Sequence, residues 1–316
     1  MSVLAIDLGG TKLASAIFSA AGELRVRETV PIDGRRGGAV GALIVEHARG
    51  MRDGATNDPI AAIGVCIPGI YRAERGTVWA PNIPEWDDYP LRDELRECVG
   101  GGLPVMIDSD RAAYVLGESW RGVARDSRNV AFVAVGTGIG AGLLVDGRVL
   151  RGHADIAGAI GWLALRQPFR ESYASCGCFE HHASGPGLVK VARERLAGDA
   201  SYAGVLRAKD AGALTPQDLF AAHEAGDPLA CAVLDDAIAM WGMVAANLVS
   251  LFNPEMLVFG GGVFGPAARF LDRIHDEALR WAQPISIRQA TFATSMLGGD
   301  AGLYGAAKLA VDGLAR

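Results

Sequence analysis

One local pattern occurs twice in the sequence: an apolar strand, a glycine turn and a second apolar strand. The first copy occupies residues 3–18. The second occupies residues 130–145, with its turn expected over 136–142 and its return strand over 143–145. Apolar, β-rich runs joined by glycine are typical of hairpins, although short glycine signals also recur by chance, so two unrelated hairpins are the alternative. We interpret the repeat as an internal duplication, which predicts two similar α/β lobes facing each other across a cleft.

Composition restricts the classes of protein to which this chain of 316 residues can belong. Hydrophobic residues make up 50% and charged residues 21%, which excludes a largely disordered chain. The net charge of -6 gives no reason to expect nucleic acid as a partner, because its phosphates are bound by Lys and Arg. Five scattered cysteines form no disulfide framework, and no signal peptide is recognised, so a cytoplasmic location is expected.

The longest charge-free apolar segment, residues 237–254, is the one place where a membrane span has to be considered. It is interrupted by Asn247, Ser250 and Asn253 and falls short of about 18 clean apolar residues. We therefore expect a buried helix there and no contact with a membrane.

Hydrophobic periodicity and capping residues predict further elements between and after the two hairpins. A helix is expected to begin in the segment 108–110, since Asp108, Ser109 and Asp110 are all good N-caps. The remaining expectations are helices over 37–52, 91–99, 237–252 and from 303 onward, strands over 60–67, 105–107 and 256–259, and an ordered loop over 79–90.

Three glycine turns follow strands, at Gly9, Gly138 and Gly261. Glycine lets backbone N–H groups approach phosphate oxygens without a Cβ in the way. None of the turns has the spacing of a Walker A or dinucleotide-binding motif, and each alone is more typical of structure than of function. Three together, two of them at duplicated positions, favour a nucleotide-binding cleft.

Charged residues beside these turns are candidates for chemistry. Asp7 ends a buried strand at the first turn, where a carboxylate can hold Mg²⁺ near phosphates or simply bond its own turn. Lys12 can neutralise phosphate charge or be an ordinary surface lysine. Asp110 can take a proton from a substrate hydroxyl or be an N-cap.

A set of short motifs follows in order along essentially the whole chain. They are Asp7-Leu8-Gly9-Gly10-Thr11-Lys12, Ile67-Pro68-Gly69, Ala80-Pro81-Asn82, Gly117-Glu118, Val135-Gly136-Thr137-Gly138-Ile139-Gly140, Gly177-Cys178-Phe179-Glu180, Asn253-Pro254-Glu255 and Gly260-Gly261-Gly262. In this order the motifs resemble those of the ROK family of sugar kinases and sugar-responsive repressors, within the hexokinase, actin and Hsp70 superfamily.

The resemblance implies a fold of two duplicated ribonuclease H-like, or actin-like ATPase, lobes around a cleft. The lobes would be residues 1–117 and 118–300, with a C-terminal helix at about 301–316 packing back on the first. It also implies ATP and Mg²⁺ as cofactors, a sugar as substrate and a homodimer. Implied phosphate contacts are Gly9, Gly10, Thr11, Lys12, Gly136, Thr137, Gly138 and Gly140, with Gly260, Gly261 and Gly262 on the adenosine side and Asp7 at the magnesium ion.

On the sugar side, the resemblance makes Asp110 the catalytic base. Gly69, Asn82, Ser109, Asp110 and Glu180 fall on sugar-contacting positions. Three such positions differ from the family pattern: Ser109 replaces an Asn, Ala159 replaces a sugar-binding Glu, and Trp162 replaces a His that binds both zinc and sugar.

The family's structural zinc site is also altered. Glu171 and Tyr173 occupy two of its Cys positions, and only Cys178 is kept, so no structural zinc is expected. A replacement site of Cys176, Cys178 and the following two histidines is the alternative, although adjacent histidines on a helix point about 100° apart. Trp162 would either stack on a sugar ring or plug the space left by the zinc.

These observations predict an ATP- and Mg²⁺-dependent kinase acting on a hydroxyl of a hexose or a close relative. The alternative is a ROK protein that senses a sugar without phosphorylating it. A DNA-binding regulator is not expected, because the first strand begins at Val3 and leaves no room for a helix-turn-helix before it.

Overall fold

Two sheets with the same strand order form the framework of the protein. The computed structural model describes residues 1–55, 58–100, 102–209 and 211–315. The first sheet contains β1 (Ser2–Leu8), β2 (Lys12–Ser19), β3 (Leu24–Pro31), β4 (Ile60–Ile67) and β7 (Val105–Ser109), in the order β3-β2-β1-β4-β7. A separate small hairpin pairs β5 (Ile70–Arg72) with β6 (Thr77–Trp79).

The second sheet repeats this arrangement. It contains β8 (Val130–Val135), β9 (Ile139–Val145), β10 (Arg148–Val149), β11 (Met256–Gly260) and β12 (Thr291–Thr294), in the order β10-β9-β8-β11-β12. In both sheets the first three strands of the chain pair antiparallel, and the next two add in parallel beside the first. The shared order confirms the expected fold class and the internal duplication.

Helices cover these sheets and connect them. In the described part of the chain they are α1 (Gly38–Gly54), α2 (Leu91–Cys98), α3 (Asp110–Arg121), α4 (Cys178–Ala183), α5 (Gly185–Gly198), α6 (Pro216–Glu224), α7 (Pro228–Phe252), α8 (Leu271–Trp281) and α9 (Ala301–Leu314). The last expected helical residue, 316, lies outside the described residues.

Helix α7 is long and apolar enough to cross a membrane by length and composition alone. In this structure 67% of its most apolar stretch is buried inside the protein. Its inward side, which includes Trp241, Val244 and Leu248, belongs to the core of the second sheet. It therefore packs as the core helix that the sequence predicts, although it begins nine residues earlier than expected, at Pro228.

Helix α9 returns to the first sheet and packs closely on it. A Cβ added to Gly117 of α3 would lie 2.5 Å from the carbonyl oxygen of Ala301, and Gly305 of α9 leaves the same kind of space for Ala113. Residues 303, 306 and 310 join the core formed by Val3, Phe18 and their neighbours. Small residues thus let α9 lie against both α3 and the sheet, as the predicted return helix would.

Three local expectations are wrong. Strand β9 begins at Ile139 rather than at residue 143, so Gly140 lies inside a strand and not in the turn. Strand β7 continues to Ser109, so Asp108 is a strand residue and not a cap. Helix α9 begins at Ala301, the start implied by the resemblance, and not at residue 303, the start expected from the apolar pattern.

Candidate active site

Two carboxylates, those of Asp7 and Asp110, lie at the carboxyl edge of the first sheet. Asp7 on β1 is in register with Cys66 on β4, and Cys66 is in register with Asp108 on β7. Burial raises the pKa of Asp7 to about 6, and the negative charge of Asp110 adds to the rise, while Lys12 opposes it. A side-chain hydrogen bond with Cys66 also lowers the pKa of Asp7, so burial outweighs these favourable interactions.

Asp110 is the first residue of α3, but it does not cap that helix. Ser109 is the N-cap, since its hydroxyl accepts the backbone N–H of Ala112 at 3.3 Å. The carboxylate of Asp110 accepts the N–H of Arg111 at 2.8 Å. Burial raises its pKa to about 6, against the opposing charge of Arg111. Of the two roles considered for Asp110, the structure excludes the N-cap and leaves a mostly buried carboxylate.

Asp108, two residues earlier, is committed to a different partner. Its Oδ2 accepts a hydrogen bond from Nε of Arg151 at 3.0 Å and a second one from Nη2 of the same side chain. Its Oδ1 accepts the backbone N–H of Ser109 at 2.9 Å. Asp108 is only 6% exposed and accepts hydrogen bonds at both oxygens, whereas within the described residues Asp110 accepts one, at Oδ1.

The second and third glycine turns lie side by side. The turn of residues 136–138 is closed by the N–H of Gly136, which donates to the carbonyl of Gly138 at 2.9 Å. Gly261 has φ +90° and lies against the carbonyl of Val135, where a side chain would not fit. Thr137, Gly138, Gly261 and Gly262 are exposed, so their backbones are open to a ligand. Gly140 is buried instead, against the side chain of Arg111.

Glu180 connects the second turn with the expected sugar side. It lies on α4, and its Oε2 accepts the N–H of Ile139, the residue directly after the turn, at 2.6 Å. Burial raises its pKa. A Cβ on Gly161 would lie 3.1 Å from this carboxylate, so the segment that follows Ala159 also packs beside it.

The other expected sugar contacts lie on loops. Gly69 packs against the backbone of Trp79 and Ala80, where a side chain would not fit. This contact brings it next to the loop that carries the exposed residue Asn82. In the first turn, Gly9 donates to the carbonyl of Lys12 at 2.9 Å, and Gly10 and Thr11 are exposed.

With this geometry in place, comparison with known proteins identifies the family. The sequence pattern of the ROK family matches residues 3–312. The chain belongs to the ROK family. A glucokinase of Halalkalibacterium halodurans is 32% identical over 309 residues, which cover 95% of this chain and 92% of that protein.

Solved structures agree with this assignment. A ROK family glucokinase from Streptomyces griseus in complex with glucose and AMPPNP has a TM-score of 0.79 and 28% identity, covering 99% of this chain and 100% of that one. A ROK family transcriptional regulator, a homologue of the E. coli MLC protein, has a TM-score of 0.85 and 26% identity, covering 99% of this chain and 78% of that one.

The region of the ROK zinc site is filled by an aromatic cluster in this chain. Tyr173 is 3% exposed, and its hydroxyl is 2.8 Å from Nε2 of His182. Burial lowers the pKa of His182 to about 4, so this histidine is neutral at pH 7. His181 is paired with Lys190 through Nδ1 at 3.1 Å. Within the described residues, no three His, Cys, Asp or Glu side chains are grouped to hold a metal ion.

Trp162 does not plug this region. Its side chain is 56% exposed, whereas Tyr173 is the buried ring, packed edge-on against both neighbouring histidines. Of the two roles considered for Trp162, the filling of space is wrong. The exposed indole belongs to the turn that directly follows Ala159.

Sequence reasoning missed Arg151 and Cys66. Cys66 precedes the Ile67-Pro68-Gly69 motif, and its position in a buried strand beside Asp7 was available from strand register alone. No local signal marks Arg151, because its partner Asp108 is 43 residues away in the chain.

Proposed function

We propose that this ROK protein is a kinase that transfers the γ-phosphoryl group of ATP to a hydroxyl of a hexose or a closely related sugar. The observation that carries this proposal is Asp110, a mostly buried carboxylate at the start of α3. It does not cap the helix, and within the described residues it has no hydrogen bond to a cationic side chain. The relatives named glucokinase, and the neighbour with glucose and AMPPNP, support the same activity.

Asp110 would act as the general base. With a pKa of about 6 it is largely ionised at neutral pH, yet basic enough to accept a proton. As the sugar oxygen attacks the γ-phosphorus, its proton passes to the carboxylate of Asp110 and the bond to the leaving ADP breaks. Positioning of the hydroxyl in line with the phosphate then supplies most of the remaining catalysis.

The glycine turns would hold the nucleotide. The two turns would bind phosphates through the exposed residues Gly10, Thr11, Lys12, Thr137 and Gly138 and the partly buried Gly9 and Gly136. On the adenosine side, Gly261 and Gly262 are exposed, whereas Gly260 is buried against Phe132 and would act only by shaping the turn. Asp7 lies near the end of β1, beside the first turn, where one carboxylate, together with nucleotide phosphates and water, can hold a magnesium ion. Asp7 would hold the Mg²⁺ of the nucleotide, which neutralises charge on the phosphates.

We place the sugar between two lobes, residues 1–117 with the return helix and residues 118–300. Glu180 would accept a sugar hydroxyl through Oε1, since Oε2 is taken by Ile139. Gly69, Asn82, Ser109, Ala159 and Trp162 would form the remaining wall.

The proposal is tested by measuring ADP release with a panel of hexoses, amino sugars, acylated sugars and cyclitols. We expect at least one sugar to stimulate ADP release in proportion to phosphorylated product. If no sugar in the panel does so while the protein binds AMPPNP, the kinase proposal is wrong.

A sugar-binding regulator without turnover is the second candidate. It is supported by the TM-score of 0.85 to the transcriptional regulator and by the altered positions Ser109, Ala159 and Trp162. Isothermal calorimetry separates the two, because a sensor would bind a sugar tightly in the absence of nucleotide and release no ADP.

We predict relaxed selectivity at one ring position of the sugar because of Ala159. An alanine cannot accept a hydrogen bond, and a charge-assisted bond is worth about 1.5–3 kcal/mol, or roughly ten- to a hundredfold in selectivity. Ala159→Glu should raise the ratio of kcat/KM for glucose over 2-deoxyglucose by this factor. A parent enzyme that already rejects the deoxy sugar a thousandfold would show that another residue supplies the acceptor.

We further propose a cytoplasmic homodimer without structural zinc. The packing of Tyr173 against His182 supports the metal-free form, because it supplies a buried contact where the family pattern has cysteines. Elemental analysis of chelator-washed protein should find less than stoichiometric zinc, and light scattering should give twice the chain mass.

A further inference from the structure

One ion pair joins the first sheet to the loop on the sugar side of the second. Asp108 belongs to β7, directly before the helix that begins with Asp110. Arg151 follows β10 and opens the loop of residues 151–162, which leads to Ala159 and Trp162. The side chain of Asp108 is 8% exposed and that of Arg151 is 41% exposed. The pair therefore connects β7 with the loop 151–162, with the carboxylate of Asp108 buried and the side chain of Arg151 partly exposed.

The geometry of this pair is that of a specific clamp. Both Nε and Nη2 of Arg151 donate to the same oxygen of Asp108, and the other oxygen is held by the backbone N–H of Ser109. A buried carboxylate that loses such a partner is left as an uncompensated charge, which is strongly unfavourable. The interaction fixes strand β7 and the loop 151–162 relative to each other.

The loop itself has few other anchors of this kind. Its first turn is closed by the N–H of Ala157, which donates to the carbonyl of Arg151 at 2.9 Å. The carbonyl of Gly158 then accepts the N–H of Ala141 at 2.7 Å. Between these points Ala154 and Asp155 have φ of 59° and 60°, a backbone conformation that residues other than glycine rarely adopt. A loop with this backbone needs external contacts to keep its shape.

We propose that Arg151 is a positioning residue for the sugar: by binding Asp108 it holds the loop 151–162 at the distance from Asp110 at which a sugar hydroxyl meets the base. The proposal rests on the proposed kinase function. Asp108 is not assigned the proton transfer, because the guanidinium group of Arg151 bonded to its Oδ2 opposes protonation there. Its role is to anchor the loop beside the catalytic carboxylate.

The test compares Arg151→Met with Arg148→Met. Arg148 lies on β10, three residues before Arg151, is exposed, and within the described residues forms no side-chain hydrogen bond or ion pair. Arg151→Met should lower kcat/KM for the sugar by about 10- to 100-fold, the loss expected when a substrate is misplaced by about 1 Å. The KM for ATP should stay at the parent value, as should both constants in Arg148→Met.

Two further variants show whether the effect comes from the pair. Arg151→Lys keeps the charge but loses the forked geometry and should recover only part of the loss. Asp108→Asn, which keeps the shape of the acid, should also lower kcat/KM for the sugar, and the double variant Asp108→Asn/Arg151→Met should be no worse than the poorer single one. Additive losses would overturn the proposal, as would an unchanged sugar KM and kcat in Arg151→Met.

Hydrogen exchange separates this proposal from the kinase assignment. In Arg151→Met, the amides of residues 152–160 should exchange about tenfold faster or more, while those of α2 keep their parent rates. Unchanged exchange in the loop would refute the clamp even in an active kinase. Faster exchange in a protein that phosphorylates no sugar would instead refute the kinase assignment and leave the clamp standing as a structural contact.

Discussion

The two halves of the protein share a framework but not their charges. In the first sheet Asp7 pairs with Ala14 one step before the turn, and Leu8 pairs with Leu13 at the turn. In the second sheet the corresponding pairs are Ala134 with Gly140 and Val135 with Ile139. The acid of the first hairpin is thus an alanine in the second. The two hairpins share the strand pairing but not the turn, which has four residues between Leu8 and Leu13 and three between Val135 and Ile139, and the carboxylate at this position belongs to one copy only.

The helices that follow the last strand of each sheet differ in the same way. Helix α3 begins with Asp110, whose carboxylate has no hydrogen bond to a cationic side chain within the described residues. Helix α9 follows Asp300, which forms an ion pair with Arg27 at 2.7 Å. Each helix start therefore carries an acid, and only the acid before α9 is held in an ion pair.

The largest effect is expected when the two acids at the helix starts, Asp110 and Asp300, are replaced one at a time. Asp110→Asn should lower kcat by about 10²–10⁴-fold, the usual cost of losing a general base, with no loss of stability. Asp300→Asn removes one partner of an exposed ion pair and should change kcat by less than about fivefold. Similar losses in both variants would mean that the difference between the halves is not catalytic.

A second test concerns stability. The raised pKa of Asp7 means that the folded protein disfavours its charged form, so ionised Asp7 destabilises the fold above pH 6. Asp7→Asn should therefore raise the free energy of unfolding at pH 8 by up to about 3 kcal/mol, at 1.36 kcal/mol per pH unit of pKa shift. The gain should vanish below about pH 4, where Asp7 is protonated in both folded and unfolded chains.

Urea unfolding at pH 8 and pH 4 measures this difference. The same variant should lose activity, because Asp7 is the proposed magnesium ligand. A variant that is less stable than the parent at pH 8 would show that Asp7 is already compensated in the folded protein.

The smallest expected effect comes from adding one methyl group to each turn. A Cβ on Gly10 meets no atom within 4 Å, whereas one on Gly138 lies 3.0 Å from Oε2 of Glu180. Gly10→Ala should leave stability unchanged and raise the KM for ATP by about tenfold, or 1.4 kcal/mol. Gly138→Ala should raise the KM for the sugar as well, since it displaces Glu180. Equal kinetics with ATP in Gly10→Ala and the parent would remove the first turn from the nucleotide site.

The sequence predicts the framework well because its signals are local. Apolar runs and glycine turns identify both hairpins, and the order of the motifs identifies the family. Strand β3 was missed because it is an edge strand, exposed along nearly its whole length, so no buried face marks it in the sequence. The sequence misplaces the start of β9 because glycine is typical of turns, whereas Gly140 lies inside the strand and allows close packing against Arg111.

For the candidate site, the sequence predicts Asp7, Asp110 and Glu180 but not how their carboxylates are held. By residue type alone, the three adjacent polar residues 108–110 are equally good helix N-caps. Only the three-dimensional structure shows that Ser109 caps the helix, Asp108 binds Arg151 and Asp110 is left free. That division of roles depends on a partner from the other sheet, which no local pattern reveals.

The return of α9 to the first sheet also has a consequence for how this protein is made. The helix seals the β1–β4 face with residues that leave the ribosome after the whole second sheet has been synthesised. Until then, Val3, Ala5 and Ala62 lack the cover of Leu303, Ala306 and Ala310. The half of the molecule that is translated first is therefore completed last, and a nascent chain must keep an unfinished apolar surface from aggregating while the other half folds.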